Sequence, residues 1–277
     1  MSTSEPGRPV AHRVTDIGLA EVKAAYAASE GDISELIMGE QVHIGGLISS
    51  QELAECAGIQ AGSCGVDLCC CTGAGMRFLV RFRDVQRMTG VDAAESMIEL
   101  GRQRTDREGL TDRIGFVHAD ACASGLPDGS ADFVWGEDAW CYVADKRRLI
   151  EEAVRIVRPG GVIAFTDWLC GPVPMTAPEA NRFLRFMTFP GLLGLDEYRQ
   201  LLEESGCRVE TARDTGRFAR WVDLYRQMIT MQLTYDALRI VGFDQERMES
   251  LEADRQLMQQ LAHDGKLIQG MLVARRL

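Results

Sequence analysis

The chain is poor in basic residues, in histidine and in aromatics, and it has no long apolar run. Its 30 Lys and Arg face 41 Asp and Glu, for a net charge of −11. Such a chain repels phosphate backbones and anionic lipid surfaces, which argues against a nucleic-acid or membrane partner. No apolar stretch approaches the roughly 20 residues of a membrane-spanning helix. The opening MSTSEPGRPVAHRV lacks a signal-peptide core. Nine cysteines, an odd number, then read as reduced thiols of a cytoplasmic protein rather than a disulfide framework. Metal-site spacing is also missing: Cys69-Cys70-Cys71 has no second ligand pair, so no metal is expected. No internal repeat and no low-complexity tract interrupts the chain.

What is present is ordinary globular composition, with 46% apolar and 26% charged residues over 277 positions. A polar stretch, residues 1 to about 15, is expected to be mobile. Helical patterns follow near 18–28 and 49–59, separated by a glycine-rich loop, Gly39 to Gly46. From about 62, short apolar runs alternate with helical patterns. Strands are expected at 65–68, 85–91, 114–118, 131–135 and 161–166, and helices at 75–82, 96–107 and 146–157. This alternation predicts an α/β, Rossmann-like fold: a mostly parallel sheet of seven strands with helices on both faces. The proline- and aromatic-rich stretch 168–206 reads as a helical cap, 221–262 as long helices, and 207–212 and 267–275 as the last two strands. The expected organisation is an N-terminal helical segment (1–61), a core (62–170), and a cap with C-terminal strands completing the same domain (171–277).

In open parallel sheets, ligands bind at the carboxyl ends of the strands. The residues there are Cys69-Cys-Cys-Thr-Gly73-Ala-Gly75 after the first strand, Asp92 after the second, Asp120 after the third and Glu137-Asp138 after the fourth. Glycines admit a ligand close to the backbone. Asp92, 25 positions beyond Asp67, suits two ribose hydroxyls; Asp120 suits an adenine amino group; Glu137 can face a reaction centre. Aspartates after strands also serve as helix caps, which is the competing reading of each.

Four segments together resemble the class I S-adenosylmethionine (SAM) methyltransferases. They are Val66-Asp-Leu-Cys-Cys-Cys-Thr-Gly-Ala-Gly75, Gly90-Val-Asp-Ala-Ala-Glu-Ser-Met-Ile-Glu99, His118-Ala-Asp-Ala121 with Leu126 to Phe133, and Arg155-Ile-Val-Arg-Pro-Gly-Gly161. The resemblance implies SAM as cofactor, bordered by Asp67, Cys69, Gly73, Gly75, Asp92, Ala93, Met97, Asp120, Ala121 and Glu137. Cys69 and Cys71 stand where the family usually has glycine.

A narrower resemblance, to the sarcosine/dimethylglycine methyltransferases, rests on Gly39 to Gly46, Arg77 to Arg81, Glu137 to Lys146 and Gly265 to Leu272. It implies methyl transfer to a small amine of the glycine or sarcosine type, with Glu137 and His43 assisting and Tyr142 orienting the acceptor. Tyr142 replaces a histidine common in that group. The aromatics Trp168, Phe183, Phe186, Phe189, Trp221 and Tyr225 are core or pocket lining. Arg182, Arg185 and Arg217 are surface charges or holders of an acceptor carboxylate. The alternatives are a C- or O-methyltransferase of a larger apolar natural product or lipid, and a SAM-binding protein without methyl transfer. A nicotinamide enzyme is disfavoured, since no intact G-x-G-x-x-G follows the first strand. The expected partner is the small-molecule acceptor; assembly into a homo-oligomer is left open.

Overall fold

The computed structural model describes residues 13–26 and 29–277, with the side chains of 26 and 29–32 left aside. The elements in chain order are α1 (Leu19–Tyr26), α2 (Ser29–Met38), α3 (Gly46–Cys56), β1 (Cys64–Leu68), α4 (Ala74–Phe82), β2 (Arg87–Asp92), α5 (Glu95–Arg107), β3 (Ile114–His118) and β4 (Ala131–Glu137). A 3-10 turn, Trp140–Tyr142, leads to α6 (Lys146–Ile156), β5 (Val157–Cys170), α7 (Ala177–Met187), α8 (Leu195–Glu204), β6 (Cys207–Asp214), α9 (Phe218–Met231), α10 (Thr234–Ile240), α11 (Gln245–His263) and β7 (Leu267–Arg276).

The seven strands form one sheet in the order β3-β2-β1-β4-β5-β7-β6. β1 to β5 run parallel, and β7 lies antiparallel between β5 and β6. The order reverses between β1 and β4. That is the switch point at which the following loops splay apart and leave a crevice.

Sheet burial explains the strand sequences. Along β4, Phe133 and Trp135 pack on the face covered by α3 and α4, whereas Ala131 and Val134 pack on the face covered by α6 and α8. The two-residue period of a strand sends these side chains to two cores, so the centre of β4, Phe133 to Trp135, is apolar at every position, while Ala131 lies beyond a bulge that shifts the register. The α6 sequence KRRLIEEAVRI buries Leu149, Ile150, Ala153 and Ile156, a 3.6-residue stripe. Asp145 caps it, accepting from Arg148 N at 3.0 Å. A capping box, Thr176 with Glu179, starts α7.

Three differences from the sequence expectation have physical causes. β5 runs from Val157 to Cys170, longer than 161–166 at both ends, because Val157 pairs with Ala131 of β4 and β7 pairs along β5 from Val162 to Cys170. The pattern near 18–28 is α1 ending at Tyr26, and a further helix, α2, follows it. Expected mobility up to residue 15 lies outside the described residues as far as 12. Beyond that, Val14 is buried and donates its N–H to Pro190 O at 2.9 Å, and Arg13 bridges Gly191.

A third apolar cluster lies outside the two sheet cores. It draws on Val14, Val22, Ile44, Trp168, Phe183 and Phe218, among others. Segments from both ends of the chain therefore close over the same edge of the sheet. Among the described residues, no helix is long and apolar enough to cross a membrane.

Candidate active site

The loop after β1 turns twice through the left-handed region on residues that are not glycine. Cys69 has φ 63° and Cys71 φ 49°, conformations that cost an L-residue about 1–2 kcal/mol. The surroundings hold them there. Cys69 N donates to Val91 O at 2.9 Å, and Cys71 N donates to Asp92 Oδ2 at 2.8 Å. The two cysteines thus keep the backbone path that glycine takes without strain. Burial, with Asp92 as the next contributor, pushes the Cys71 thiol up to about 12 and the thiols of Cys69 and Cys70 well above their usual range. All nine cysteines are free, and these three are protonated at neutral pH, a poor state for metal ligation or redox exchange.

Gly75, the second residue of α4, lies against two carboxylates. A Cβ there would meet Glu137 Oε2 at 2.6 Å and Asp67 Oδ2 at 3.6 Å. Burial above all, then the charges of Glu137 and Asp92, pushes the Asp67 carboxyl well above the usual carboxylate range. Asp92 is also raised by burial, opposed by N–H donation from Ala94 and Cys71. Its Oδ1 accepts from Ala94 N at 2.8 Å. Each carboxylate oxygen has a second lone pair, so Asp92 retains acceptor capacity toward a ligand.

His43 reaches this group from the loop before α3. Its Nε2 lies 3.4 Å from Glu137 Oε1, an ion pair only when the ring is protonated, and 2.9 Å from Gln41 Oε1. Gln41 Nε2 points toward Ala74 O at 3.5 Å, and Ser50 Oγ donates to Gln41 Oε1 at 2.8 Å. Gln41 Oε1 only accepts, so in this orientation Nε2 carries the imidazole proton. Nδ1 is left as a lone pair, buried and without a hydrogen-bond partner among the described residues, as is Glu137 Oε1.

Two buried devices fix the loops. Asp138, at φ 50°, accepts from Ile44 N at 2.8 Å and from Gln269 Nε2 at 2.8 Å; Gln269 Nε2 also reaches Ile44 O at 2.9 Å. Residues from the start, middle and end of the chain are thereby tied beside His43. Behind them, Lys146 Nζ donates to the carbonyls of Trp140, Cys141 and Val143 at 2.7, 3.0 and 2.5 Å. Asp167 accepts from Cys141 N and Tyr198 Oη at 2.9 and 2.7 Å. Burial lowers the Lys146 pKa and raises that of Asp167 to about 6. Together they brace the turn that carries Tyr142.

Three cavities meet at Tyr142. The first, about 180 Å³, is lined by Cys69, Asp92, Ala93, Asp120 and Ala121. The second holds His43, Asp67, Cys69, Gly75 and Glu137. The third, about 440 Å³, is mostly apolar and shares Met38, Tyr142, Trp168 and Met187 with the second. Of the residues named from the sequence as cofactor-bordering or catalytic, the structure brings all to the first two cavities except two; of the aromatics and arginines also considered, only Trp168 lines either of them. Gly73 caps α4 at φ 76°, and Met97 sits in the first turn of α5, outside the residues lining the three cavities.

These groups suit SAM: a glycine cradle that a Cβ would fill, a Glu137 oxygen without a hydrogen-bond partner among the described residues, and the Asp92 carboxylate at the end of β2. A model of the "Methyltransferase domain" family matches residues 66–165. The chain is 28% identical over 208 residues to the 27-O-demethylrifamycin SV methyltransferase of Amycolatopsis mediterranei, covering 74% of this chain and 72% of that protein. The chain is a class I SAM-dependent methyltransferase. Among solved structures, methyltransferase folds superpose along most of its length. A putative sarcosine dimethylglycine methyltransferase from Galdieria sulphuraria superposes with TM-score 0.76 at 21% identity, covering 87% of this chain and 89% of that one. The phosphoethanolamine N-methyltransferase 2 of Haemonchus contortus gives 0.81 at 19%, covering 92% and 59%. SAM is the cofactor.

Several residues of this methyltransferase were not singled out as site residues from the sequence. Gln41, Ser50, Asp138, Lys146 and Gln269 act through contacts between distant segments, and no local motif signals them. The three arginines considered for an acceptor carboxylate are ion-paired: Arg182 with Asp254 at 2.7 Å, Arg185 with Asp16 at 2.9 Å, and Arg217 with Glu52.

Proposed function

We propose that this methyltransferase modifies a large, mainly apolar small molecule, at an oxygen or carbon, rather than a glycine-type amine. The observation that carries this is the third cavity. Its volume of about 440 Å³ and its lining by Ile37, Trp168, Met187, Val222, Ile229 and Met258 fit a ligand that buries extensive apolar surface. Glycine or sarcosine would leave most of that space empty. The 27-O-demethylrifamycin SV relative, named for a large acceptor, supports the same reading.

In this proposal residues 62–170 are the SAM-binding core, and the flanking segments close over it. Asp92 takes the ribose hydroxyls, Asp120 the adenine, and Asp67 and Glu137 the amino-acid end. Ala93, Ala121, Cys69, Gly73 and Gly75 give the backbone its close approach, and Met97 backs the α5 turn. When bound, SAM supplies a methyl group on a positively charged sulfur. The chain's task is orientation and exclusion of water. Tyr142, at the meeting point of the cavities, orients the acceptor. His43 Nδ1, the unpartnered lone pair, receives a hydroxyl proton, and Glu137 stabilises the imidazolium formed.

The test is to follow methyl label from SAM into two panels: glycine, sarcosine and dimethylglycine, and hydroxylated polyketide or isoprenoid acceptors. Label in the second panel alone is expected. Label in a methylated glycine would return the acceptor to the small-amine class. Tight SAM binding with no labelled product in either panel would favour a SAM-binding protein without methyl transfer.

A further inference from the structure

The third cavity holds one guanidinium that makes no ion pair or hydrogen bond among the described residues; the charges of Glu252 and Asp254 reach it only from beyond contact distance. Arg255 is on α11, on the same helix face as Leu251 and Met258, and all three line the cavity. Its residue exposure is 8%, and its Nη1 is enclosed with no hydrogen-bond partner among the described residues. The acids nearest to it in sequence are engaged elsewhere. Glu252 pairs with Arg226 at 2.8 Å, and Asp254 with Arg182 at 2.7 Å. The other two cavity arginines are matched as well: Arg185 by Asp16 at 2.9 Å, and Arg226 by Glu252 and by Gln259 at 2.5 Å.

Arginine stays charged even when buried. A buried, unpaired charge is costly to the fold, and a planar guanidinium in an apolar wall matches the two oxygens of a carboxylate or phosphate. We propose that Arg255 anchors an anionic group, carboxylate or phosphate, on an otherwise apolar acceptor. This rests on the reading of the third cavity as the acceptor site. The acceptor is then an amphiphile: its apolar body lies along α2, α9 and α11, its anion on Arg255, and its reacting atom toward Tyr142.

The test uses the full chain and three probes of equal tail length: decanoate, decyl phosphate and decanol. Binding is read from intrinsic tryptophan fluorescence, since Trp168 lines the cavity. At least one anion is expected to bind the wild type roughly ten- to a hundredfold more tightly than decanol, the range of a charge-assisted hydrogen-bond pair. The tighter of the two anions identifies the chemistry. Arg255→Met is expected to bring anion affinity down to that of decanol, leave decanol binding unchanged and keep or raise the Tm. Arg255→Lys is expected to retain part of the preference. Equal binding of anions and decanol by the wild type would overturn the proposal, as would unaltered anion binding by Arg255→Met. Loss of all three probes together with a lower Tm would assign Arg255 to the fold and overturn it too. Methyl transfer is scored separately. Arg255-dependent anion binding without transfer to any apolar acceptor would reject the acceptor reading and keep the anchor; transfer without anion preference would do the reverse.

Discussion

Of the cavities that meet at Tyr142, the first and the third are built by opposite means. The first is walled by loops that leave consecutive strands, β1 to β4, and its lining, apart from α1, comes from residues 69–148. Its acids are held by backbone N–H groups one to two positions away or across one strand, such as Ala94 and Cys122 at 2.8 Å from Asp92 and Asp120. The third is walled mainly by helix faces, from Ala25 and from residues 33–38, 185–187, 222–229 and 251–258, with Tyr142 and Trp168, which meet only after the chain has folded. A site formed by strand ends inherits its geometry from sheet register. A site formed between helices inherits it from side-chain packing, and can change its ligand without disturbing the sheet.

The sharpest way to break this contrast is Asp92→Ala. It removes the acceptor of two N–H groups and of the proposed ribose hydroxyls. SAM affinity measured by calorimetry is expected to fall about a hundredfold. An unchanged Kd would mean that the first cavity does not take the nucleoside. Next comes Ala25→Trp, which fills the third cavity from its rim. It is expected to raise KM for a large acceptor about tenfold while leaving SAM affinity alone. If SAM binding suffers equally, the two cavities are not independent. Smallest in effect is Cys71→Gly, which relieves a left-handed residue at a modest entropic cost in the unfolded chain. A gain of about 1 kcal/mol, or roughly 2–4 °C in Tm by calorimetry, is expected. A loss would show that the Cys71 side chain contributes more through packing than its φ costs.

The contrast also explains what was legible beforehand. Asp67, Asp92, Asp120 and Glu137 could be placed on one sheet edge because each lies at or just beyond the carboxyl end of a strand, and parallel strands bring those ends to the same side. His43 stood out through its glycine-rich setting. Its neighbours Gln41 and Ser50, and the Asp138–Gln269 lock 131 positions apart in sequence, carried no local pattern. Asp138 illustrates the difficulty: it adjoins Glu137 in sequence, yet its left-handed φ turns it toward Ile44 N instead of the cavity acids. Arg255 sits in a helix sequence rich in charged and amide residues, where an arginine reads as solvated. Only packing of α11 against α9 and α7 buries it.

The sequence by itself determined the alternation of strands and helices, the sheet edge at which the acids gather and, through four ordered segments, the methyltransferase family. These follow from local periodicity and from residues at fixed offsets from strand ends. Only the tertiary structure decided that Cys69 and Cys71 keep a glycine's backbone path, that the buried His43 Nδ1 has no hydrogen-bond partner among the described residues, and that a guanidinium with no ion pair among them lines an apolar cavity. Each depends on which distant groups become neighbours when water is excluded, and such neighbours are fixed by packing rather than by spacing along the chain.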